Sequence, residues 1–418
     1  MASLVFSAFS AFSAVRNEWI AALPRWGTGG EQGSVVESGI RNLQSGLRML
    51  PLRNFRIALT GDFLDESGKI AYGDVGLGRL EGRPYVRWHF LTDLAPRPGD
   101  SAYWSRLYSL EVTPEHIRDV DGLVVLRPWV KRSTFANGAE DLVVIGRSGA
   151  GYDKIDLAAC TEHGVAVFNA PMALNHSTAS SALLFMLALA KRLPDQERVA
   201  REGRWDRQAA VMGGEIQGRT LGIIGLGHSG RELVRLVAPF DLRILAFSPH
   251  ADPQVAHALG VRLASLEEVL READLLSLHC RLTDATRRLI GAPQLALMKP
   301  TAYLINVGRG ELVDQFELAT ALRERRIAGA GLDVFDVEPL PLDDPLLSLD
   351  NVILTPHWSA STSDVWLATG KAMVEGMLLA ARGVRPENIV NPDVLELPGF
   401  IRKLSRFTEN EAGDRPAH

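Results

Sequence analysis

Six short apolar runs follow one another in the second half of this chain: Leu221–Ile224, Leu242–Phe247, Leu275–Leu278, Ala302–Val307, Ala330–Val334 and Val352–Leu354. Several of the intervals carry helical spacing, as in Leu233, Leu236 and Val237 or in Leu318, Leu322 and Ile327. Strands that alternate with helices imply crossover connections, hence a parallel, doubly wound α/β sheet. Directly after the first run, Gly225-Leu226-Gly227-His228-Ser229-Gly230 fits G-x-G-x-x-G and opens an amphipathic helix. In that setting the first glycine permits a tight turn, the second lets a pyrophosphate approach the backbone, and the third allows close helix–strand packing. Amides at the helix start, including those of His228 and Ser229, are expected to face the phosphates of a dinucleotide.

The second run leads into Ser248, eighteen positions beyond Gly230, where NAD-preferring sites usually carry an acid for the ribose hydroxyls. Without that carboxylate a 2′-phosphate is not repelled, and His250 and Arg281 are two cations that could meet it. NAD and NADP both stay open, since Ser248 can equally hydrogen-bond an NAD ribose while Arg281 faces solvent.

Three charged residues close later apolar runs: Arg309 in NVGRG, Glu338 in DVFDVEP and His357 in TPHWS. Each is expected at the carboxyl end of a parallel strand, where open α/β sheets bind ligands. An arginine can grip a carboxylate with two prongs, a histidine can shuttle a proton, and a carboxylate beside it can orient the ring. Together they are the parts needed to reduce a 2-oxo acid.

At 418 residues the chain exceeds what one core usually organises, so two domains are expected. A smaller α/β region opens with a strand at Phe55 and has apolar runs at Gly122–Leu126 and Leu142–Gly146; a long Ala/Leu/Met-rich helix over Ser177–Leu189 follows. The net charge of −5, without a basic block, gives no footprint for nucleic acid. Cys160 and Cys280 lie in apolar segments, have no metal-ligand company, and suit buried, reduced thiols. The strongly apolar stretch Ala182–Ala190 is about half of a membrane span, so no membrane partner is expected. Residues 1–50 read as a poorly ordered extension, with Met49 as a candidate functional start.

With these residues assembled, the chain resembles the D-isomer-specific 2-hydroxyacid dehydrogenases. The likeness covers Phe55 to Pro392 and rests on GRSGAGYDKID, VFNAP, TLGIIGLGHSG, MKPTAYLINVGRG, GLDVFDVEP and TPH, in that order. It implies a Rossmann domain (174–358) inserted into a smaller, flavodoxin-like substrate domain (51–173 plus 359–395), with 396–418 as a tail. By the same resemblance Arg309 holds the substrate carboxylate and carbonyl oxygen, His357 is the general acid in reduction, and Glu338 pairs with His357. Asp333 is placed to bond the nicotinamide carboxamide, and the amides of Ala150 and Gly151 cradle the carboxylate. A cytoplasmic homodimer joined through the Ser177–Leu189 helix and the arm around Trp205 is implied as well. Departures from the family pattern are Gly308 for Ala or Ser, Lys154 for Asn, Arg281 for Pro, and the Trp358-Ser359-Ala360-Ser361 segment. Arg127 would suit a second acidic group on the substrate, or it is a surface arginine. Alternatives to the 2-hydroxyacid reading are a phosphite-type dehydrogenase and a dinucleotide-sensing, corepressor-like binding protein.

Overall fold

The structure, a computed structural model, describes residues 53–408. The expected N-terminal extension falls outside these residues. Two all-parallel sheets carry the fold. The first contains β1 (Phe55–Thr60), β2 (Val86–Leu91), β3 (Gly122–Val125), β4 (Val144–Arg147) and β5 (Ala166–Asn169), in the order β2-β1-β3-β4-β5. This is the flavodoxin-like doubly wound order that the family resemblance implied. On one face Phe55, Leu59 and Phe168 pack against Met373, Val374 and Met377 of the returning helix Ser363–Ala380. On the other, Leu123, Val125 and Ile145 pack against Ala159 and Cys160. The returning helix approaches closely because Gly376 lies against the Phe168 ring, where a Cβ would collide.

The second sheet contains β6 (Thr220–Ile224), β7 (Arg243–Phe247), β8 (Arg262–Leu263), β9 (Leu275–Leu278), β10 (Tyr303–Asn306), β11 (Gly329–Leu332) and β12 (Val352–Leu354). Its order, β12-β11-β10-β9-β6-β7-β8, reverses direction between β9 and β6, so the crevice beyond their carboxyl ends is the switch point where such sheets take ligands. All six apolar runs appear as strands here. The two-residue β8 is too short to give a periodic signal.

Two boundaries differ from expectation. Residues 396–408 are no tail: the helix Pro398–Ser405 and its continuation bury Phe400, Leu404 and Phe407 in the first core, with Phe407 edge-on to Phe55 at 4.9 Å. These apolar positions recur at helical spacing, and burying them ties the segment to the first sheet. The Ser177–Leu189 helix starts earlier, at Pro171, and packs on the helix His228–Val237, β10 and β11, so the expected division at 173/174 falls inside one helix. At Pro171–Ala190 it is long and apolar enough to cross a membrane by length and composition; Ala179, Ala182, Phe185 and Met186 are buried against the second sheet. Cys160 is fully buried, whereas Cys280 is only partly so, and both are free.

Candidate active site

Arg309, Glu338 and His357 stand beyond the carboxyl ends of three adjacent strands, β10, β11 and β12. The turn that presents Arg309 is shaped by buried Asn306, whose Nδ2 donates to Arg309 O at 2.8 Å and whose Oδ1 accepts from Gly308 N at 3.1 Å. His357 Nδ1 lies 2.8 Å from Glu338 Oε2, and Phe335 N donates to Glu338 Oε1 at 3.1 Å. Burial pushes the Glu338 carboxyl up, but the bond and charge of His357 outweigh it and hold the group below its ordinary range. With Nδ1 committed, Nε2 is the ring nitrogen left for proton transfer. His357 has a left-handed backbone (φ 54°), which costs a β-carbon residue energy and is sustained by its surroundings. Those surroundings include Asp333, whose Oδ1 accepts from Thr355 Oγ1 at 2.6 Å, Trp358 N at 2.9 Å and Ser359 N at 2.9 Å. Asp333 therefore clasps the loop that carries the histidine.

The first sheet supplies the opposite wall. Arg309 Nε donates to Asp153 Oδ1 at 2.9 Å, Nη2 lies within ion-pair distance of the same carboxylate, and Nη1 donates to Gly308 O. Burial raises the Asp153 carboxyl, yet Arg309 wins and holds it below the usual range. The loop after β4 is anchored by Asn169 Nδ2 donating to Ala150 O at 2.6 Å and by Ala170 N donating to Gly149 O at 3.0 Å. A Cβ on Gly151 would strike the Arg309 guanidinium, so the Ala150–Gly151 backbone and Arg309 converge on one spot.

The glycine motif has the properties a dinucleotide requires. Gly225 (φ 96°) leaves its Cα so close to Cys280 that a Cβ would meet Cys280 N at 2.6 Å, and a Cβ on Gly230 would collide with Gly225 O. Gly227 faces open space, room for a pyrophosphate beside the first-turn amides of His228 and Ser229. Ser229 Oγ lies 3.1 Å from His279 Nδ1, and His279 Nε2 lies 2.9 Å from Ser277 Oγ. Burial pushes this imidazole down to about 4, so it serves as a neutral brace beneath the loop. Half-buried Ser248 and exposed His250 follow β7. Arg281 follows β9, two strands away, and its Nη1 donates to Tyr152 Oη with the guanidinium 5.8 Å from that ring.

Arg127 is not a surface arginine. Its side chain is 10% exposed, faces the fully buried Asp62 at 3.5 Å and donates to Tyr72 Oη at 3.0 Å. The rings of Tyr72, Tyr108 and Trp358 surround its guanidinium at 5.5, 5.8 and 5.6 Å. Tyr108 in turn stacks on His357, centroids 6.0 Å apart.

Residues 183–359 match the family model described as "D-isomer specific 2-hydroxyacid dehydrogenase, NAD binding domain". The glyoxylate reductase of Korarchaeum cryptofilum is 38% identical over 297 residues, spanning 70% of this chain and 90% of that protein. The chain belongs to the D-isomer-specific 2-hydroxyacid dehydrogenase family. D-3-phosphoglycerate dehydrogenase of Methanocaldococcus jannaschii is 42% identical over 278 residues, 66% of this chain, but the match spans only 53% of that longer protein. Among solved structures, a glyoxylate reductase from Paecilomyes thermophila superposes with a TM-score of 0.64 at 26% identity, covering 79% of this chain and 96% of that one.

Within this family member, several site residues escaped the sequence reading. His279 closes an apolar run just as Arg309 and His357 do, so the strand-end rule could have found it. Asn169 lies in the VFNAP block and Asp153 in GRSGAGYDKID, both inside recognised motifs. Tyr72 and Tyr108 carry no local signal and are placed by tertiary packing alone.

Proposed function

We propose that this protein is an NAD-dependent oxidoreductase that interconverts 2-oxo acids and D-2-hydroxy acids. The observation that carries the reading is that Arg309 closes on the Ala150–Gly151 backbone while Glu338, whose charge acts on Arg309, holds His357 from the two neighbouring strand ends. When bound, the nicotinamide supplies or accepts the hydride. Arg309 and the amides of Ala150 and Gly151 bind the substrate carboxylate and fix C2, and Arg309 stabilises negative charge growing on its oxygen. His357 gives its Nε2 proton to that oxygen in reduction and recovers it in oxidation. Glu338 stays ionised and supports the imidazolium. Asp333, with Oδ1 occupied by the loop, offers Oδ2 to the nicotinamide carboxamide.

Of the two cations nominated for a 2′-phosphate, Arg281 donates to Tyr152, and exposed His250 alone is a weaker anion site than the pair, which supports NADH over NADPH. Exposed Met172, Leu184, Trp205 and Met212 along the Pro171–Ala190 helix and the following arm support a homodimer through that face.

The test is oxidation of NADH and NADPH by the purified protein with glyoxylate, hydroxypyruvate, pyruvate, phenylpyruvate and 2-oxoglutarate, alongside Arg309→Ala. Turnover that is faster with NADH and lost in the variant is expected. Protein that binds dinucleotide yet turns over none of these acids would refute the proposal.

A further inference from the structure

The substrate cleft holds more positive charge than its own carboxylates neutralise. Arg127, Arg147, Lys154 and Arg309 couple to one another there and to Asp62, Asp153 and Glu338; Glu311, which also acts on Arg309, is offset by Arg287 at 3.7 Å. Arg127 faces Asp62 and Arg309 faces Asp153, whereas neither Arg147 nor Lys154 has a carboxylate within ion-pair distance among the described residues. Arg147 turns back on its own loop, donating to Ser148 O. Lys154 Nζ donates to Tyr108 O at 2.8 Å and otherwise lies against aromatic faces, 4.8 Å from the Tyr108 ring centroid and 5.4 Å from that of Trp129. Burying cations without partners is costly, and both are held down, Arg147 to about 10 and Lys154 to about 8, chiefly by burial. An arrangement of this kind is relieved when an anion enters.

One carboxylate, on Arg309 and the Ala150–Gly151 amides, cancels the surplus only while His357 is neutral. Reduction requires His357 to carry its proton, and then one positive charge remains. The Tyr108 ring marks where it is concentrated: it stacks on His357 and has Lys154 and Arg127 near it. We propose that Lys154 is the specificity-determining residue of this site and that the preferred substrate is a 2-oxo acid bearing a second anionic group, carboxylate or phosphate, held beside the Tyr108 ring by Lys154 with Arg127 behind it. The inference rests on the oxidoreductase reading above. Charge balances through the reaction: proton and hydride join the oxo acid, the hydroxy acid leaves with the negative charge the oxo acid brought, and the positive charge His357 gives up is matched by oxidation of the nicotinamide.

Kinetics on matched pairs test this. The wild-type protein and Lys154→Asn are compared on 2-oxovalerate against 2-oxoglutarate, and on hydroxypyruvate against 3-phosphohydroxypyruvate. A charge-assisted contact predicts that the wild type favours the doubly charged member of at least one pair by about tenfold or more in kcat/KM, mostly through KM, and that Lys154→Asn erases that ratio. The pair that responds tells carboxylate from phosphate. Arg127→Met, with NADH affinity and Tm measured in parallel to verify folding, should lower the same ratio. Turnover without preference for the second charge, or a preference that Lys154→Asn leaves intact, overturns the inference while sparing the oxidoreductase reading. No turnover of any oxo acid by protein that binds NADH overturns both.

Discussion

Arg309 of the second sheet and Asp153 of the first are joined across the cleft, Nε to Oδ1 at 2.9 Å. The arginine assigned to the substrate carboxylate is thus already oriented by a carboxylate of the protein, and the guanidinium is planar and rigid enough to serve both. Asp153→Asn should lower kcat/KM by about tenfold by loosening that orientation. Arg309→Lys should cost about 10²- to 10³-fold, because an ammonium replaces a two-pronged grip that also stabilises developing charge. Gly151→Ala, whose methyl would displace the guanidinium, should raise KM for the oxo acid with NADH affinity retained. Steady-state kinetics with NADH titrations check all three, and an indifferent Gly151→Ala would count against the convergence.

The His357–Glu338 pair predicts an asymmetry. His357→Gln should lower kcat by about 10²- to 10⁴-fold, the range of lost general acid catalysis, without weakening NADH binding. Because Glu338 is held below its ordinary value of 4.5, it remains ionised through the neutral range and down past that value. Rates between pH 5 and 8 in the wild type should therefore show no step from Glu338. A Glu338→Gln variant whose rate and pH profile match the wild type would remove the residue from the mechanism.

Coenzyme binding should depend on the packing of Gly230 on Gly225 O. Gly230→Ala forces the helix away from β6 and should weaken NADH binding by about tenfold or more, with the change appearing in NADH fluorescence titration before any loss in Tm.

The C-terminal segment should be required for stability. Phe407→Ala removes a fully buried ring packed on Phe55 and should cost about 3–5 kcal/mol in denaturant unfolding. Nearby, Asp141 accepts from Arg56 at 2.7 Å and Arg406 at 2.9 Å. Burial raises its carboxyl, but the two arginines outweigh this and hold it below its ordinary 3.8. A depressed carboxyl stabilises the fold above its unfolded-state value, and that contribution is lost as pH falls through the folded-state value. The destabilisation by Asp141→Asn should then be full at pH 7 and shrink below pH 4.

Lys154 gives a pH signature on the alkaline side. Held down to about 8 in the free protein, with Glu338, Asp153, Arg147 and Arg309 around it, it loses its charge above that pH. KM for a doubly charged oxo acid should rise above about pH 8, and the rise should vanish in Lys154→Arg, which stays charged. A KM flat to pH 10 would contradict the assignment.

The second sheet, three strands of the first and the three strand-end residues were legible because apolar runs, the glycine motif and the ligand-at-strand-end rule all act locally in sequence, whereas β2 and β5 were not read as strands. Arg309, Glu338 and His357 each announce themselves by closing a run. The cluster around Tyr108 was not legible: Tyr72, Tyr108, Arg127, Lys154 and Trp358 come from five separated segments, and no periodicity links them. Arg127 could be nominated but not placed, and Lys154 was visible only as a departure from a pattern. The helix Pro398–Ser405 was missed because it is short, and only its packing on the first sheet shows Phe400 and Leu404 to be core.

The chain crosses between its two sheets twice, once leading into Pro171 and once through Ser359–Thr362. Ser177 Oγ donates to Ala360 O at 2.7 Å and Ser181 Oγ to Ser359 O at 2.8 Å, so the two crossings lie side by side. Fastened to each other, the two crossings form one joint between the sheets rather than two separate threads. His357, two residues from Ser359, is carried next to that joint. Arg309 and Asp153 make a second tie on the substrate side, so the proton donor and the carboxylate grip are each anchored where the two halves touch.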